Sequence, residues 1–171
     1  GNAIDPVIAS IGAQGSVASW LALLGYSVQI YFDFSGYSDM AIGLGRLFDI
    51  ELPQNFNSPY QATSPSDFWT RWHITLSRWL RDYLYIPLGG NRKGEMRTKV
   101  NLMITMVLGG LWHGANWTFA LWGLFHGVLL WSYHVSAETW DAWPIWARRI
   151  ATYMLMTLAW VFFRAPTLSM A

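Results

Sequence analysis

Among the side chains of this sequence that could do chemistry, His113 comes first. It sits in Leu111-Trp112-His113-Gly114-Ala115-Asn116-Trp117, in a stretch with no Asp, Glu, Lys or Arg between Lys99 and Glu138. An ionisable residue so far from other charges is costly unless it faces a cavity or a partner. On position alone two readings stand level. The imidazole either hydrogen-bonds a neighbouring helix, or stays neutral and takes a proton as a general base. The company it keeps favours the second: Gly109, Gly110 and Gly114 let backbone or substrate approach closely, and Asn116 adds an amide.

His73 is the next candidate, with Ser77 one helical turn on. That segment by itself favours an interfacial histidine. A helical zinc pair would need a second ligand at i+4, where Ser77 stands, so no metal site is expected. His126 and His134 lie on an apolar segment and read as packing or interfacial residues. Asp33 and Asp39 flank Phe34-Ser35-Gly36-Tyr37-Ser38. They are read as structural, capping a broken helix or pairing with Arg71, Arg78 or Arg81, ahead of acid/base work or cation binding. No Ser sits in a Gly-x-Ser-x-Gly elbow, and Gly43-Leu44-Gly45 is too short and apolar for a phosphate loop.

The elements that must position these groups read as helices. Residues 17 to 34 are expected to form a membrane helix, followed by a polar break at Asp33, Ser35, Gly36 and Asp39. A helical pattern resumes from Met40 to Phe48, where Gly43 and Gly45 allow close packing. Leu52 to Ser66 carries Pro53, Pro59 and Pro65 and reads as a loop, with Ser66 and Asp67 offering a helix start. From Asp67 to Leu88 the spacing of Arg71, Thr75, Arg78 and Asp82 predicts one face of an interfacial helix. Gly89, Gly90, Asn91 and Gly94 form a basic turn. A helix from 99 to 112, interrupted at Gly109-Gly110, enters the membrane. Further helices follow from about Asn116 to Val135 and from about Ile145 to Phe163, with a polar turn from Glu138 to Pro144 between them.

Composition sets the class. The 171 residues are 53% hydrophobic and 12% charged, against roughly 25% charged in soluble domains. The uncharged stretch after Lys99 could form roughly 57 Å of helix, more than a hydrocarbon core of about 30 Å requires. The 12 Trp suit a membrane boundary. Cys is absent, which excludes disulfides and thiolate metal sites. The net charge of +1, without a long basic run, gives no sign of nucleic-acid binding. Seven of the 11 Lys and Arg residues fall between Arg71 and Lys99, which predicts a cytoplasmic loop around Arg92. The chain begins Gly1-Asn2 without the basic segment of a signal peptide, and is expected to be a piece of a longer membrane protein.

Three motifs in order carry a resemblance. Tyr31-Phe32-Asp33-Phe34-Ser35-Gly36-Tyr37-Ser38-Asp39-Met40-Ala41, Phe68-Trp69-Thr70-Arg71-Trp72-His73-Ile74-Thr75-Leu76-Ser77 and the His113 segment resemble the membrane-bound O-acyltransferase family. Arg81-Asp82-Tyr83-Leu84-Tyr85-Ile86-Pro87-Leu88-Gly89-Gly90-Asn91-Arg92 extends the likeness, which spans about Tyr31 to Trp131. It is nearest the bacterial branch of alginate O-acetyltransferases and teichoic-acid D-alanyltransferase subunits. The fold expected is all-α: a polytopic helical membrane protein with interfacial and broken or re-entrant helices. Residues 1–171 would form the central and C-terminal part of a single membrane domain.

The resemblance implies acyl transfer from a cytoplasmic thioester to a hydroxyl in a bacterial inner membrane. The family's membrane histidine falls on His113 and its second histidine on His73. On that footing His113 deprotonates the acceptor hydroxyl, and His73 orients the donor or assists proton transfer. Asn116 or Trp112 would steady the oxyanion. Arg71, Arg78 and Ser77 join them as substrate-binding candidates, the basic side chains attracting phosphates of coenzyme A or a phosphopantetheine arm. No tightly bound cofactor is expected. The partners implied are acetyl-CoA or an acyl carrier protein, a polysaccharide or an extracytoplasmic acyltransferase, and lipid. Three alternatives remain open here: D-alanyl transfer to teichoic acid, a transporter or channel subunit that uses His113 as a relay or gate, and a purely structural membrane scaffold.

Overall fold

A computed structural model describes residues 15–168; the expectation for the Gly1-Asn2 start lies outside them. One compact unit ends at Asn55 and a second begins at Phe56. All regular structure among the described residues is helical.

The first unit is built on α1, Gly15–Leu47, 33 residues without interruption. The expected break at Asp33, Ser35, Gly36 and Asp39 does not occur. Serines there bond back into the helix instead: the Ser38 hydroxyl donates to the Phe34 carbonyl at 2.9 Å and the Ser35 hydroxyl to Phe32 at 3.5 Å. Polar residues that satisfy themselves within the turn leave the helix intact. The helix stops at Leu47. There the Ile50 amide donates to the Gly45 carbonyl at 2.9 Å. A Cβ on Gly45 would press on the Ile50 carbonyl and on Leu52, whereas one on Gly43 would meet open space. The close approach read from these glycines is thus a local fold-back at Gly45 alone.

The second unit opens with a 3₁₀ turn, Pro59–Gln61, and α2, Pro65–Arg71. The helix starts at Pro65, one residue before the expected Ser66. Ser64 is its cap, its hydroxyl accepting the Asp67 amide at 3.0 Å, with Pro65 in the first turn. The single helix expected from Asp67 to Leu88 is broken. Trp72 is extended and His73 takes φ +45°, ψ +53°, before α3, Ile74–Leu80, begins. Arg71 and Thr75 therefore do not share one continuous helix face. Burial of Trp72 against Phe56, Phe68 and Trp160, at ring separations of 5.0 to 5.6 Å, accounts for the break. The Arg71 carbonyl freed by it accepts the Asn57 amide at 2.9 Å. A π-helical turn, Arg81–Tyr85, leads into the basic turn, where Gly89 and Gly90 hold φ of +117° and +51°.

Helices α4, Glu95–Trp112, and α5, Trp117–Asp141, pack as an antiparallel pair. The expected interruption at Gly109-Gly110 is absent; α4 runs through both. They serve close packing instead, because a Cβ on Gly110 would collide with the Phe119 carbonyl of α5, and one on Gly123 with the Met106 carbonyl of α4. Helix α5 reaches Asp141, beyond the expected Val135, with one non-helical residue, Ser136. Helix α6, Ile145–Arg164, packs on α5.

No helix among the described residues is long and apolar enough to cross a membrane. The expected membrane helix at 17–34 and the expected membrane entry at 99–112 are therefore not met on apolarity. The lengths of α1, α5 and α6 suffice. Interspersed Trp, Tyr, His, Thr, Ser and Gly dilute the aliphatic content of each.

Candidate active site

His113 follows the last turn of α4, with its amide donating to the Gly110 carbonyl at 2.9 Å. Its Nδ1 lies 2.8 Å from the Gly109 carbonyl oxygen. A carbonyl only accepts, so Nδ1 carries the proton and Nε2 keeps the lone pair. Rings fix the plane of the imidazole: Trp112 at 5.1 Å, Trp122 at 5.2 Å and Phe163 at 5.3 Å, each steeply inclined to it. Phe119 lies further off at 6.3 Å. Residues from α4, α5 and α6 thus converge on one ring.

His73 comes from the break between α2 and α3. Its left-handed backbone is one that non-glycine residues seldom adopt, and such strain concentrates at functional sites. The Trp112 indole lies against both imidazoles, 6.2 Å from His73 and 5.1 Å from His113. Burial first, and then the charge His113 would carry, push the His73 imidazole down to about 4. His73 is therefore neutral near pH 7, and the two histidines are close enough for one charge to disfavour the other.

The remaining candidates fall in different places. Trp112 is 64% exposed, so one side of it stands open next to the histidines. Asn116 caps α5: its Oδ1 accepts the Thr118 amide at 3.2 Å and its Nδ2 donates to the Pro166 carbonyl at 3.1 Å. In this state its amide ties the chain after α6 to the start of α5. Ser77 donates to the Trp72 carbonyl at 3.3 Å. Arg71 pairs with Asp67 at 2.7 Å and reaches the Asn57 carbonyl at 3.4 Å. Arg78 is exposed on α3. Asp33 and Asp39 belong to α1, in the other unit. Among the described residues no cluster of His, Asp or Glu could hold a metal ion.

One residue stands out that the sequence reading assigned to packing. His126 is 1% exposed, and neither ring nitrogen has a hydrogen-bond partner among the described residues. The i, i+4 spacing of Trp122 and His126, which places both on one helix face, was the available signal. His134, by contrast, is exposed.

The chain is 52% identical over 159 residues to the peptidoglycan O-acetyltransferase of Helicobacter pylori, covering 91% of this chain and 30% of that protein. It is 53% identical over 156 residues to the probable alginate O-acetylase AlgI of Azotobacter vinelandii, covering 90% and 31%. Identity to the teichoic acid D-alanyltransferase of Bacillus subtilis is 34% over 128 residues, covering 71% and 32%. The chain spans about a third of the length of these curated relatives. The pattern of the membrane-bound O-acyltransferase family matches residues 8–165. With motif order, helical architecture and a shared pattern over most of its length, the chain belongs to the membrane-bound O-acyltransferase family.

Proposed function

We propose that this chain carries the acyl-transfer centre of a bacterial O-acetyltransferase that moves an acetyl group from a cytoplasmic thioester to a polysaccharide hydroxyl. The observation that carries the reading is the fixed tautomer of His113. With Nδ1–H committed to the Gly109 carbonyl, the Nε2 lone pair is available as a base. Nε2 takes the proton of the acceptor hydroxyl as its oxygen attacks the thioester carbonyl carbon. The C–S bond then breaks, and the imidazolium returns the proton to the departing thiolate. The cycle is proton-neutral, so no further acid is needed.

His73, neutral and facing the same indole, suits a role in orienting the donor. The exposed Arg92 and Lys93 of the basic turn and Arg97 in the first turn of α4 offer phosphate-attracting charge for acetyl-CoA or for the arm of an acyl carrier protein. The turn itself is held by the Asn101 amide, which donates to the Gly90 carbonyl at 3.0 Å. The setting proposed is the bacterial inner membrane, in contact with lipid, with an extracytoplasmic acyltransferase as the partner that completes delivery. Acetyl is favoured over D-alanyl because identity exceeds 50% to relatives named as O-acetyl enzymes and is 34% to the D-alanyltransferase.

The test uses the full-length protein in membranes, wild type beside His113→Ala, supplied with radiolabelled acetyl-CoA. Label entering polysaccharide or protein with wild type, and reduced at least about a hundredfold in the variant, is the expected result. Equal transfer by both removes His113 from the chemistry. Transfer only from a D-alanyl carrier protein moves the assignment to the D-alanyl reaction. Flux that depends on His113 with no covalent product supports the transporter.

A further inference from the structure

The turn between the π-helical segment and α4 is closed by its own hydrogen bonds. The Gly90 amide donates to the Tyr85 carbonyl at 2.9 Å and the Arg92 amide to the Gly89 carbonyl at 3.0 Å. The Tyr85 hydroxyl donates to Asn91 Oδ1 at 2.6 Å. The Lys93 stem lies against Gly89, where an added Cβ would stand 3.0 Å from the Lys93 Cδ.

One further bond reaches the turn from α4. Asn101 is fully buried, and its Nδ2 donates to the carbonyl of Gly90, itself buried, at 3.0 Å. The Asn101 Oδ1 has no hydrogen-bond partner among the described residues. A half-satisfied buried amide is costly, so packing alone would favour leucine here. What leucine lacks is the donor, and without it the Gly90 carbonyl is left buried and unpaired. Arg92 and Lys93 follow Gly90 by two and three residues, so the bond acts on them through the chain itself.

From Arg92 to Lys99 the sequence holds four cations, Arg92, Lys93, Arg97 and Lys99, and one carboxylate, Glu95. Lys99 lies over Trp131, 5.2 Å from the ring centroid, while Arg92 and Lys93 are exposed. His113 is at the other end of α4, whose 18 residues span about 27 Å. A donor with phosphate at one end of a long arm and a thioester at the other suits cations and a base set so far apart.

We infer that Asn101 is a positioning residue for the donor: by fixing the Gly90 carbonyl it places Arg92 and Lys93 to meet the phosphates of acetyl-CoA. Asn101 touches no donor atom. The inference rests on the reading of the basic turn as the holder of donor phosphate, and not on His113 being the base.

The experiment uses the full-length protein in detergent, as wild type, Asn101→Leu, Asn101→Ala and the double variant Arg92→Gln/Lys93→Gln, at matched abundance of folded protein. Acyl transfer gives kcat and KM for two donors, acetyl-CoA and S-acetylpantetheine, which keeps the thioester and arm but has no phosphate. Wild type is expected to show a KM at least about tenfold lower for acetyl-CoA. Each Asn101 variant is expected to raise that KM about fivefold, with kcat and the KM for S-acetylpantetheine changed less than about twofold. In the Arg92→Gln/Lys93→Gln background, adding Asn101→Leu is expected to change the KM for acetyl-CoA less than about twofold, since the cations it places are gone. Trypsin cleavage after Arg92 and Lys93 reads the turn without catalysis, and is expected to quicken about threefold in both Asn101 variants. An unchanged KM for acetyl-CoA in those variants, with the preference lost in Arg92→Gln/Lys93→Gln, would overturn the inference and leave the phosphate reading standing. Equal loss with both donors would also overturn it, as general damage to the fold. If wild type itself takes both donors equally, the phosphate reading of the turn fails and the inference goes with it.

Discussion

Helix α1 and the α4–α5 pair use the same small and polar residues to opposite ends. In α1, serines and glycines pass through a long helix and leave most of its surface open, with Ala22, Ser27, Ser38 and Ile42 its buried residues. In α4 and α5, glycines bring two backbones into contact, and buried threonines and rings fill the rest. The lesson is that a glycine or serine carries no meaning until its neighbour is known. Gly43 and Gly123 have the same chemistry, yet one faces space and the other a carbonyl.

That difference sets the largest effect on stability. Gly123→Val in the full-length protein is expected to lose about 2–3 kcal/mol, because the added carbons have nowhere to go against the Met106 backbone. Gly43→Ala is expected to gain about 0.5–1 kcal/mol from reduced backbone entropy in the unfolded chain. Thermal unfolding in detergent measures both, and equal effects would erase the contrast. Next in size is the break at His73. His73→Val should cost about 1–2 kcal/mol more than His73→Asn, since asparagine tolerates left-handed backbone and a β-branched residue does not. Both variants lack the imidazole, so a difference between them in stability isolates the strain.

The smallest effect concerns Asp67. Burial raises its carboxyl, but the Thr63 amide, Arg71 and Thr70 outweigh that and hold it below the usual value. A lowered folded value means stability is present above the unfolded pKa of about 3.9 and is lost as pH falls through the folded one. The pair is partly exposed, so the contribution is about 1 kcal/mol or less. Acid unfolding of Asp67→Asn should show that much less sensitivity to pH below about 4 than wild type.

Much of this arrangement is legible in the sequence, and the failures share a cause. The helical character, the loop with its prolines and the basic turn follow from local signals. What does not follow is set by tertiary contact. Arg71-Trp72-His73-Ile74 contains no glycine or proline to announce a break; the burial of Trp72 among distant rings imposes it. Asp33 to Asp39 looks like a break because polar residues cluster there, yet its serines are satisfied within the helix. Gly109-Gly110 looks like an interruption because glycine weakens helices, but the partner helix stabilises what propensity would undo. For His126 the sequence offers only the i, i+4 spacing to Trp122; that Trp69 and Phe68 also surround it is set by tertiary contact.

The Gly110–Gly123 contact also decides from where His113 can be approached. Two backbones that leave no space for a methyl group between them leave none for an acyl chain or a sugar. The seam between α4 and α5 is a closed wall, and lateral entry along it is barred. Phe163 and Trp122 cover further flanks of the imidazole. On the remaining flank, among the described residues, stands the largely exposed indole of Trp112.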